Sequence, residues 1–258
     1  MDGFLFEQVV FGPIRSRRLG ISLGVNLLPL GQKHCTFNCL YCECGWTPAI
    51  DDGRKLPEKA MVESALEAKL RALSSKNSMI DNITFAGNGE PTLHPEFSQI
   101  IDSTINLRKR YFPEAGIAVL SNGSMAGLPE VKTALLKVDQ NILKLDAGTN
   151  ETFQKINQPK IQITIEDVLE NFIPFKGQMV IQSLFVRGIY NGIAFDNTTE
   201  FEIDAWLGHI IKLRPKKVMI YPIARATPAE NIERIGLEVL IPIAQKVEAA
   251  GIQASVYA

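Results

Sequence analysis

The sequence predicts an α/β fold, a partial (βα)6 barrel with a mostly parallel sheet. Two observations predict it. Short β-branched runs alternate with longer amphipathic segments along most of the chain, a pattern typical of βαβ units. Six such units precede the C-terminal tail, too few for the usual eight-fold barrel. A doubly wound open sheet is the alternative, and in both architectures the chemistry lies at the C-terminal ends of the strands.

The individual elements follow from hydrophobic periodicity and from start and stop residues. Strands are predicted over 21–28, 82–86, 116–121, 141–146, 178–186, 216–221 and 252–257. Helices are predicted over 58–76, 95–110, 129–137, 165–172, 199–213 and 234–250. Pro95 suits a first helical turn. Thr164 suits an N-cap, and Gly251 suits a helix stop.

Composition limits the class of protein. The 258 residues are 46% hydrophobic and 21% charged, which suits one globular domain over 1–258. A formal net charge of −1 argues against a protein that binds nucleic acid over its whole surface. No stretch has the apolar length of a membrane span, and residues 1–4 lack the pattern of a signal peptide. We therefore expect a cytoplasmic protein.

All four cysteines lie in one short segment that follows the first predicted strand. Cys35, Cys39 and Cys42 form a C-x3-C-x2-C pattern, and Cys44 comes two residues later. Soft thiolates at such spacing suit an iron–sulfur cluster or zinc rather than a disulfide framework. Three ligands would leave one iron of a four-iron cluster open, with Cys44 as a spare thiol. The alternative is a zinc knuckle completed by His34 or Cys44.

Two segments together resemble the signature of the radical S-adenosylmethionine (SAM) superfamily. The first is the C-x3-C-x2-C run with an aromatic residue, Tyr41, before its third cysteine. The second is the Gly-Asn-Gly-Glu turn at 87–90, which ends the second predicted strand and looks like the family's GGE motif. The resemblance extends roughly from Phe11 to Tyr221 and is most specific at the cysteines. A looser similarity, at the start of the chain, is to the radical SAM branch that contains the tRNA wyosine synthases.

The resemblance implies a cofactor set and a chemistry. Cys35, Cys39 and Cys42 would bind a [4Fe-4S] cluster, and SAM would chelate the open iron. One-electron reduction would then cleave SAM to methionine and a 5′-deoxyadenosyl radical that abstracts hydrogen from a substrate. The electron would come from an external flavodoxin- or ferredoxin-like donor. The residues expected to contact SAM are Tyr41, Gly87, Asn88, Gly89, Glu90, Ser121, Asn122, Asp146, Gln182 and Ile223.

The substrate is less constrained than the cofactor. Arg15, Arg17 and Arg18 could grip phosphate, which would suit RNA, or could pair with carboxylates on an exposed edge. Arg187 and Arg225 follow two later strands and could face an anionic substrate or the solvent. An RNA or a small metabolite is therefore the expected substrate. Two alternatives are an activating enzyme for a glycyl-radical partner and a metal-binding nucleic-acid recognition module without catalysis.

Overall fold

A computed structural model describes residues 3–49 and 53–257. The prediction about a signal peptide rests partly on residues 1–2, which lie outside this range. Within the described residues, no helix is both long and apolar enough to cross a membrane.

The main sheet has eight strands and two free ends. Its strands in spatial order are β1 (Val10–Ser16), β2 (Gly20–Val25), β3 (Asn82–Phe85), β4 (Gly116–Ser121), β5 (Gln140–Lys144), β6 (Val180–Leu184), β9 (Lys217–Tyr221) and β11 (Ala254–Val256). Only the β1–β2 pair is antiparallel. The open, mostly parallel sheet confirms the predicted partial barrel, and β1 is an added antiparallel edge that the periodicity did not indicate.

Helices cover the outer face of this sheet. They are α1 (Lys59–Ser75), α2 (Phe97–Tyr111), α3 (Pro129–Lys137), α4 (Asn150–Asn157), α5 (Ile165–Phe172), α6 (Glu200–Leu213) and α7 (Leu237–Ala249). Six of them match predicted helices, and α5 carries the predicted cap, with the Thr164 and Asp167 side chains bonding to each other's backbone. The helix predicted from Pro95 begins two residues later, at Phe97, and a 3₁₀ turn at Pro91–Leu93 precedes it. The short helix α4 was not predicted.

A second, three-stranded antiparallel sheet contains β7 (Val186–Tyr190), β8 (Ile193–Asp196) and β10 (Ile232–Arg234). The strand predicted over 178–186 is therefore two strands. Asn197 explains the break, since its Nδ2 donates to the carbonyl oxygens of Leu184 and Asp146 and its Oδ1 accepts from the backbone N–H of Val186. One buried amide thus takes the hydrogen bonds that a continuous strand would have made.

The two faces of the main sheet bury two separate apolar clusters. On the outer face the strand residues pack against the helices in one large core. On the inner face a smaller cluster joins Ala118, Ile142, Val180 and Met219 around Leu19, which lies in the β1–β2 turn. The turn therefore inserts into the barrel, and burying one leucine in this way contributes about 2 kcal/mol.

Candidate active site

The cysteine segment is held on one side by the glycine turn at 87–90. The backbone N–H of His34 donates to the Asn88 carbonyl oxygen at 2.7 Å, and the N–H of Glu90 donates to the His34 carbonyl oxygen at 3.1 Å. Gly89 has φ +138°, and a Cβ there would lie 2.0 Å from the His34 oxygen. Glycine is required at this position because the cysteine segment itself occupies the space of a side chain.

On its other side the cysteine segment pairs with the end of α4 and the residues after it. The backbone N–H groups of Asn38 and Leu40 donate to the carbonyl oxygens of Gln158 and Ile156, each at 3.0 Å. The N–H of Lys160 donates to the Thr36 carbonyl oxygen at 2.7 Å. The segment is thus fixed between two loops that follow different strands.

Polar hydrogens point at two of the cysteine sulfurs. The Phe37 backbone N–H and the Asn122 Nδ2 donate to Cys35 Sγ at 3.4 and 3.6 Å. The Asn157 Nδ2 donates to Cys39 Sγ at 3.5 Å. Hydrogen bonds of this kind stabilise thiolates and tune the reduction potential of a bound cluster.

Lys33 supplies positive charge to all three cysteines. It is 2% exposed, and its Nζ donates to the Gly45 carbonyl oxygen at 2.9 Å. Burial alone would lower the pKa of Lys33, but the negative charges of Cys42, Cys35 and Cys39 together raise it. The buried Lys33 ammonium group therefore interacts electrostatically with all three cysteines.

The cysteines differ in their acidity. Burial raises the pKa of Cys35 to about 12 and also raises the pKa of Cys39. The hydrogen bond from Cys44 lowers the pKa of Cys42 to about 6, and Lys33 adds to this effect. The pKa of Cys44 is raised by the same hydrogen bond and by burial, and its Sγ lies 3.3 Å from the Gly87 carbonyl oxygen. Cys44 is thus a protonated neighbour of Cys42.

Glu90 joins the ends of β3 and β4. It is 2% exposed, and its Oε1 accepts from the Ser121 hydroxyl at 2.8 Å and from the Thr92 hydroxyl at 2.5 Å. Its Oε2 accepts from the Asn122 backbone N–H at 2.6 Å. Burial raises the pKa of Glu90, while these hydrogen bonds oppose the rise. Because protein donors occupy both oxygens, Glu90 places Asn122 against Cys35.

Asn88 has a similar positioning role on the other side of the turn. Its Oδ1 accepts from the Phe6 N–H at 2.8 Å, and its Nδ2 donates to the carbonyl oxygens of Phe6 and Pro29 at 2.9 and 2.8 Å. The space of a Gly87 side chain is taken by Asn26, whose Oδ1 would lie 2.4 Å from a Cβ. The glycine turn therefore packs tightly against the protein.

Asp146 organises a buried polar group next to Cys39. Its Oδ2 accepts from the Tyr41 hydroxyl, from Lys144 Nζ at 2.5 Å and from Asn157 Nδ2 at 3.0 Å. Its Oδ1 accepts from the Leu184 backbone N–H at 2.8 Å. Burial favours a lower pKa for Lys144, but Asp146 and Cys39 outweigh it and raise the pKa. Asp146 accepts four hydrogen bonds, and the Lys144 ammonium also lies over the Tyr41 ring, 4.3 Å from its centroid, so both buried charges are compensated.

A cavity of about 250 Å³ opens where β4, β6 and β9 end. Gln182 on β6 points into it, whereas the next residue, Ser183, faces outwards and accepts from Trp206 Nε1 at 3.1 Å. The lining includes Arg17, Arg18, Tyr41, Cys42, Glu43, Leu120, Gln182, Leu184, Tyr221, Pro222, Ile223, Ala224 and Tyr257. Cys42 thus borders a chamber inside the barrel.

The predicted SAM-contact residues divide into two groups. Tyr41, Gln182 and Ile223 line the cavity beside Cys42. The others support the cysteine segment on the side away from the cavity, through the hydrogen bonds and the close packing given above; they are Gly87, Asn88, Gly89, Glu90, Ser121, Asn122 and Asp146. The cavity side is where a ligand has room, and the supporting side is where the protein's own polar atoms are already paired.

Sequence reasoning missed several residues of this site. Lys33 and Asn157 contact or face the cysteine sulfurs, and Thr36 accepts from Asn122 Nδ2 at 2.8 Å. Asn157 could have been noticed through its helix, since Thr149 is an N-cap that accepts from the Thr152 N–H. The buried position of Lys33 has no local sequence signal.

Two histidines have structural roles, and one of the two arginines that follow later strands lies on the surface. His94 bonds to the Pro57 carbonyl oxygen and His209 to the Gly148 carbonyl oxygen, each at 2.8 Å. Arg187 pairs with Glu233 on the surface of the small sheet, whereas Arg225 lies near the barrel mouth.

The donor set fits a cluster with three protein ligands. Three soft thiols lie on one fixed segment, amide hydrogens point at two of them, and the third borders a cavity. Within residues 3–49 and 53–257, no three His, Cys, Asp or Glu side chains are grouped so as to hold a single metal ion. A cluster distributes its thiolates over separate iron atoms, so it does not require them to converge on one point.

Comparison with known sequences gives one family. Residues 31–181, more than half of the chain, match the sequence model of the Radical SAM superfamily. A "UPF0026 protein" of Helicobacter pylori is 36% identical over 185 residues, which are 70% of this chain and 57% of that protein. A "UPF0026 protein" of Methanocaldococcus jannaschii is 28% identical and covers 91% of this chain and 70% of that protein. The chain therefore spans little more than half the length of the Helicobacter relative.

Solved structures share the fold. A radical SAM methyltransferase from Sphaerobacter thermophilus has a TM-score of 0.67 at 17% identity, covering 91% of this chain and 65% of that one. Archaeal TYW1 has a TM-score of 0.54 at 12% identity, covering 89% and 72%. At these identities the likeness concerns the architecture alone.

Proposed function

The chain belongs to the radical SAM superfamily and is an enzyme of that superfamily, and from this premise we propose that Cys35, Cys39 and Cys42 bind its [4Fe-4S] cluster. One observation carries the assignment. Cys42 borders the 250 Å³ cavity inside the barrel, so a cluster on these cysteines would face a chamber with room for a ligand. Membership in an enzyme superfamily sets aside the non-catalytic recognition module.

The residues around the cysteines would hold the cluster in one orientation. The Phe37 N–H, Asn122 and Asn157 would donate to its thiolate ligands, which stabilises their negative charge. Lys33 would add a buried positive charge on the same side. Cys44 would remain outside the ligand set, as a hydrogen-bond donor to Cys42.

The cavity would bind SAM between the cluster and the strand ends. Gln182 and Tyr41 offer polar groups to it, and Ile223 offers apolar surface for the adenine. Bound in this way, SAM would supply the 5′-deoxyadenosyl radical for hydrogen abstraction from a substrate in the lumen.

Asp146 would fix the wall of this chamber. It holds Tyr41 and Lys144 on the lumen side and Asn157 on the cysteine side. Its four hydrogen bonds leave it no freedom to move towards the ligand. We therefore assign Asp146 a positioning role.

The wider setting is proposed on similar grounds. Residues 1–258 would form a single radical SAM domain, since one large core joins residues along most of the described chain. Four free cysteines suit a reducing compartment such as the cytoplasm. A flavodoxin- or ferredoxin-like donor would provide the electron, and the substrate would be RNA or a small metabolite.

Anaerobic reconstitution tests the proposal. The purified chain should bind about four irons and, once reduced by dithionite, should release 5′-deoxyadenosine from SAM. The variants Cys35→Ser, Cys39→Ser and Cys42→Ser should each lose the cluster signal in electron paramagnetic resonance. Cys44→Ser is the matched control and should keep both iron and SAM cleavage. Binding of zinc in place of iron, or loss of iron from Cys44→Ser alone, would contradict the assignment.

A further inference from the structure

A second cavity, of about 280 Å³, lies beside the first inside the barrel. Arg17, Arg18, Glu43 and Leu120 line both, so the two chambers are adjacent halves of one lumen. The first half contains Cys42, and the second half lies against β1, β2 and β3. A molecule in the second half would therefore sit next to the proposed SAM site.

The second cavity has a fixed wall. Phe6 and Phe11 stack with ring centroids 3.6 Å apart, and a Cβ at Gly24 would lie 2.1 Å from the Phe11 ring. Ser22 and Thr84 share a hydrogen bond of 2.7 Å between their hydroxyls on the neighbouring strands. The cavity thus has an aromatic side and a polar side, as small-molecule sites usually do.

Positive charge dominates this cavity. Among the described residues that line it are four arginines, Arg15, Arg17, Arg18 and Arg225, but a single carboxylate, Glu43. Arg225 pairs with Glu43 at 2.6 Å. Guanidinium groups close together in one cavity repel one another, so the excess of positive charge favours a bound anion.

The arginines are not equally free to bind a ligand. Arg18 donates to Gln182 Oε1 at 2.7 Å and stacks on the Tyr221 ring, 4.7 Å from its centroid. Arg15 and Arg17 are exposed, and neither side chain has a hydrogen bond or an ion pair within the described part of the chain. The guanidinium groups of Arg15 and Arg17 are therefore available to a ligand.

The backbone that carries Arg17 is held in place although its side chain is free. The Ser16 hydroxyl accepts from the backbone N–H groups of Arg18 and Leu19 at 3.3 and 3.2 Å, which fixes the turn. Leu19 is 6% exposed and anchors the same turn in the lumen. Arg17 is thus presented at the boundary of the two cavities by a rigid support.

We propose that the substrate is a small anion whose carboxylate or phosphate group binds Arg17, assisted by Arg15, with its body in the 280 Å³ cavity. The assignment rests on the proposed function, because it places the substrate beside the SAM chamber. A planar guanidinium fork matches the oxygens of either group. A chamber of this size suits a metabolite rather than a folded RNA.

The test measures anion binding separately from SAM cleavage. Reconstituted protein is titrated by calorimetry with inorganic phosphate and with succinate, at constant ionic strength with chloride as the reference anion. At least one probe should bind saturably, and whichever binds identifies the phosphate or carboxylate source. Arg17→Gln should weaken that binding about tenfold, equal to about 1.4 kcal/mol. Arg17→Lys should weaken it less. Arg71→Gln, an exposed arginine on α1, is the matched control and should bind as the wild type does.

A measurement on the wild-type protein tests the same site without depending on whether a variant folds. Phenylglyoxal modifies accessible arginines, and the bound probe should slow its reaction at Arg17 but not at Arg71. Three results would overturn the inference. They are a lack of saturable anion binding, an equal loss of anion affinity in Arg17→Gln and Arg71→Gln, and binding of tRNA but of neither anion probe. Protein that cleaves SAM but binds neither probe refutes this inference alone. Protein that binds a probe through Arg17 but cleaves no SAM refutes the proposed function and leaves the anion site standing.

Discussion

The carboxylate of Glu90 joins the glycine turn to the loop after β4, and replacing it with glutamine tests that connection. Oε1 accepts three hydrogen bonds, from the Thr92 N–H, the Thr92 hydroxyl and the Ser121 hydroxyl, whereas Oε2 accepts one from the Asn122 N–H. In Glu90→Gln, the amide oxygen can serve the three donors on one side. The amide NH₂ would then face the Asn122 N–H, donor against donor, over a distance that is 2.6 Å in the wild type.

The structure gives a magnitude for this change. A hydrogen bond to a charged group contributes about 1.5–3 kcal/mol, and a buried donor without an acceptor costs about 1–3 kcal/mol. We expect Glu90→Gln to lower the free energy of unfolding by about 3 kcal/mol. For a chain of about this length, that corresponds to a fall in Tm of roughly 6–12 °C. Because Asn122 also donates to Cys35 Sγ, iron should be retained less well too.

The assay is thermal unfolding of wild type, Glu90→Gln and Glu114→Gln under identical conditions. Glu114 is exposed and makes no side-chain hydrogen bond within the described residues, so it controls for the same chemical change. Its Tm should match the wild type. If Glu90→Gln unfolds within about 2 °C of Glu114→Gln, the carboxylate is not a charged acceptor for these donors, and the positioning role assigned to it is wrong.

Three further predictions concern other parts of the molecule. Asn157→Leu removes the amide donor to Cys39 and should lower the reduction potential of the reconstituted cluster, as measured by redox titration; an unchanged potential would argue against that hydrogen bond. Gly89→Ala should yield little folded protein, whereas Gly208→Ala, in open space on α6, should fold normally; equal recovery of the two would refute the packing argument. The hydrogen bond from Ser103 and the charge of Lys59 lower the pKa of Glu63. The stabilisation that ionised Glu63 provides is therefore present above its unfolded-state pKa and is lost as pH falls through its folded-state pKa. Glu63→Gln should reduce Tm at neutral pH but not in strong acid. A difference in Tm that persists in acid would contradict this.

Local sequence patterns were sufficient to predict most strands and helices of the barrel. Strands β2 to β6 and β9 are short, mostly apolar runs that contain β-branched residues, and their helices carry apolar residues at helical spacing, so each can be recognised from a short window. The elements that escaped prediction depend on distant partners. The helix α4 has eight residues and docks on the cysteine segment, while the second sheet exists because Asn197 ends β6. Their local signals, the Thr149 cap of α4 and the Asn191–Gly192 turn between β7 and β8, are too short to mark these elements without those partners.

The same division applies to the site. Spacing alone indicated Cys35, Cys39 and Cys42 as candidate ligands of a soft-metal site, and the turn at 87–90 added the resemblance that implies a cluster. The side-chain donors to their sulfurs come from far away, since Asn157 is 118 positions from Cys39 and Asn122 is 87 positions from Cys35. The sequence by itself thus determined the family and the candidate ligands. Only the tertiary structure decided which polar groups support those ligands and that Arg17 faces the lumen, because packing between distant strands sets these contacts.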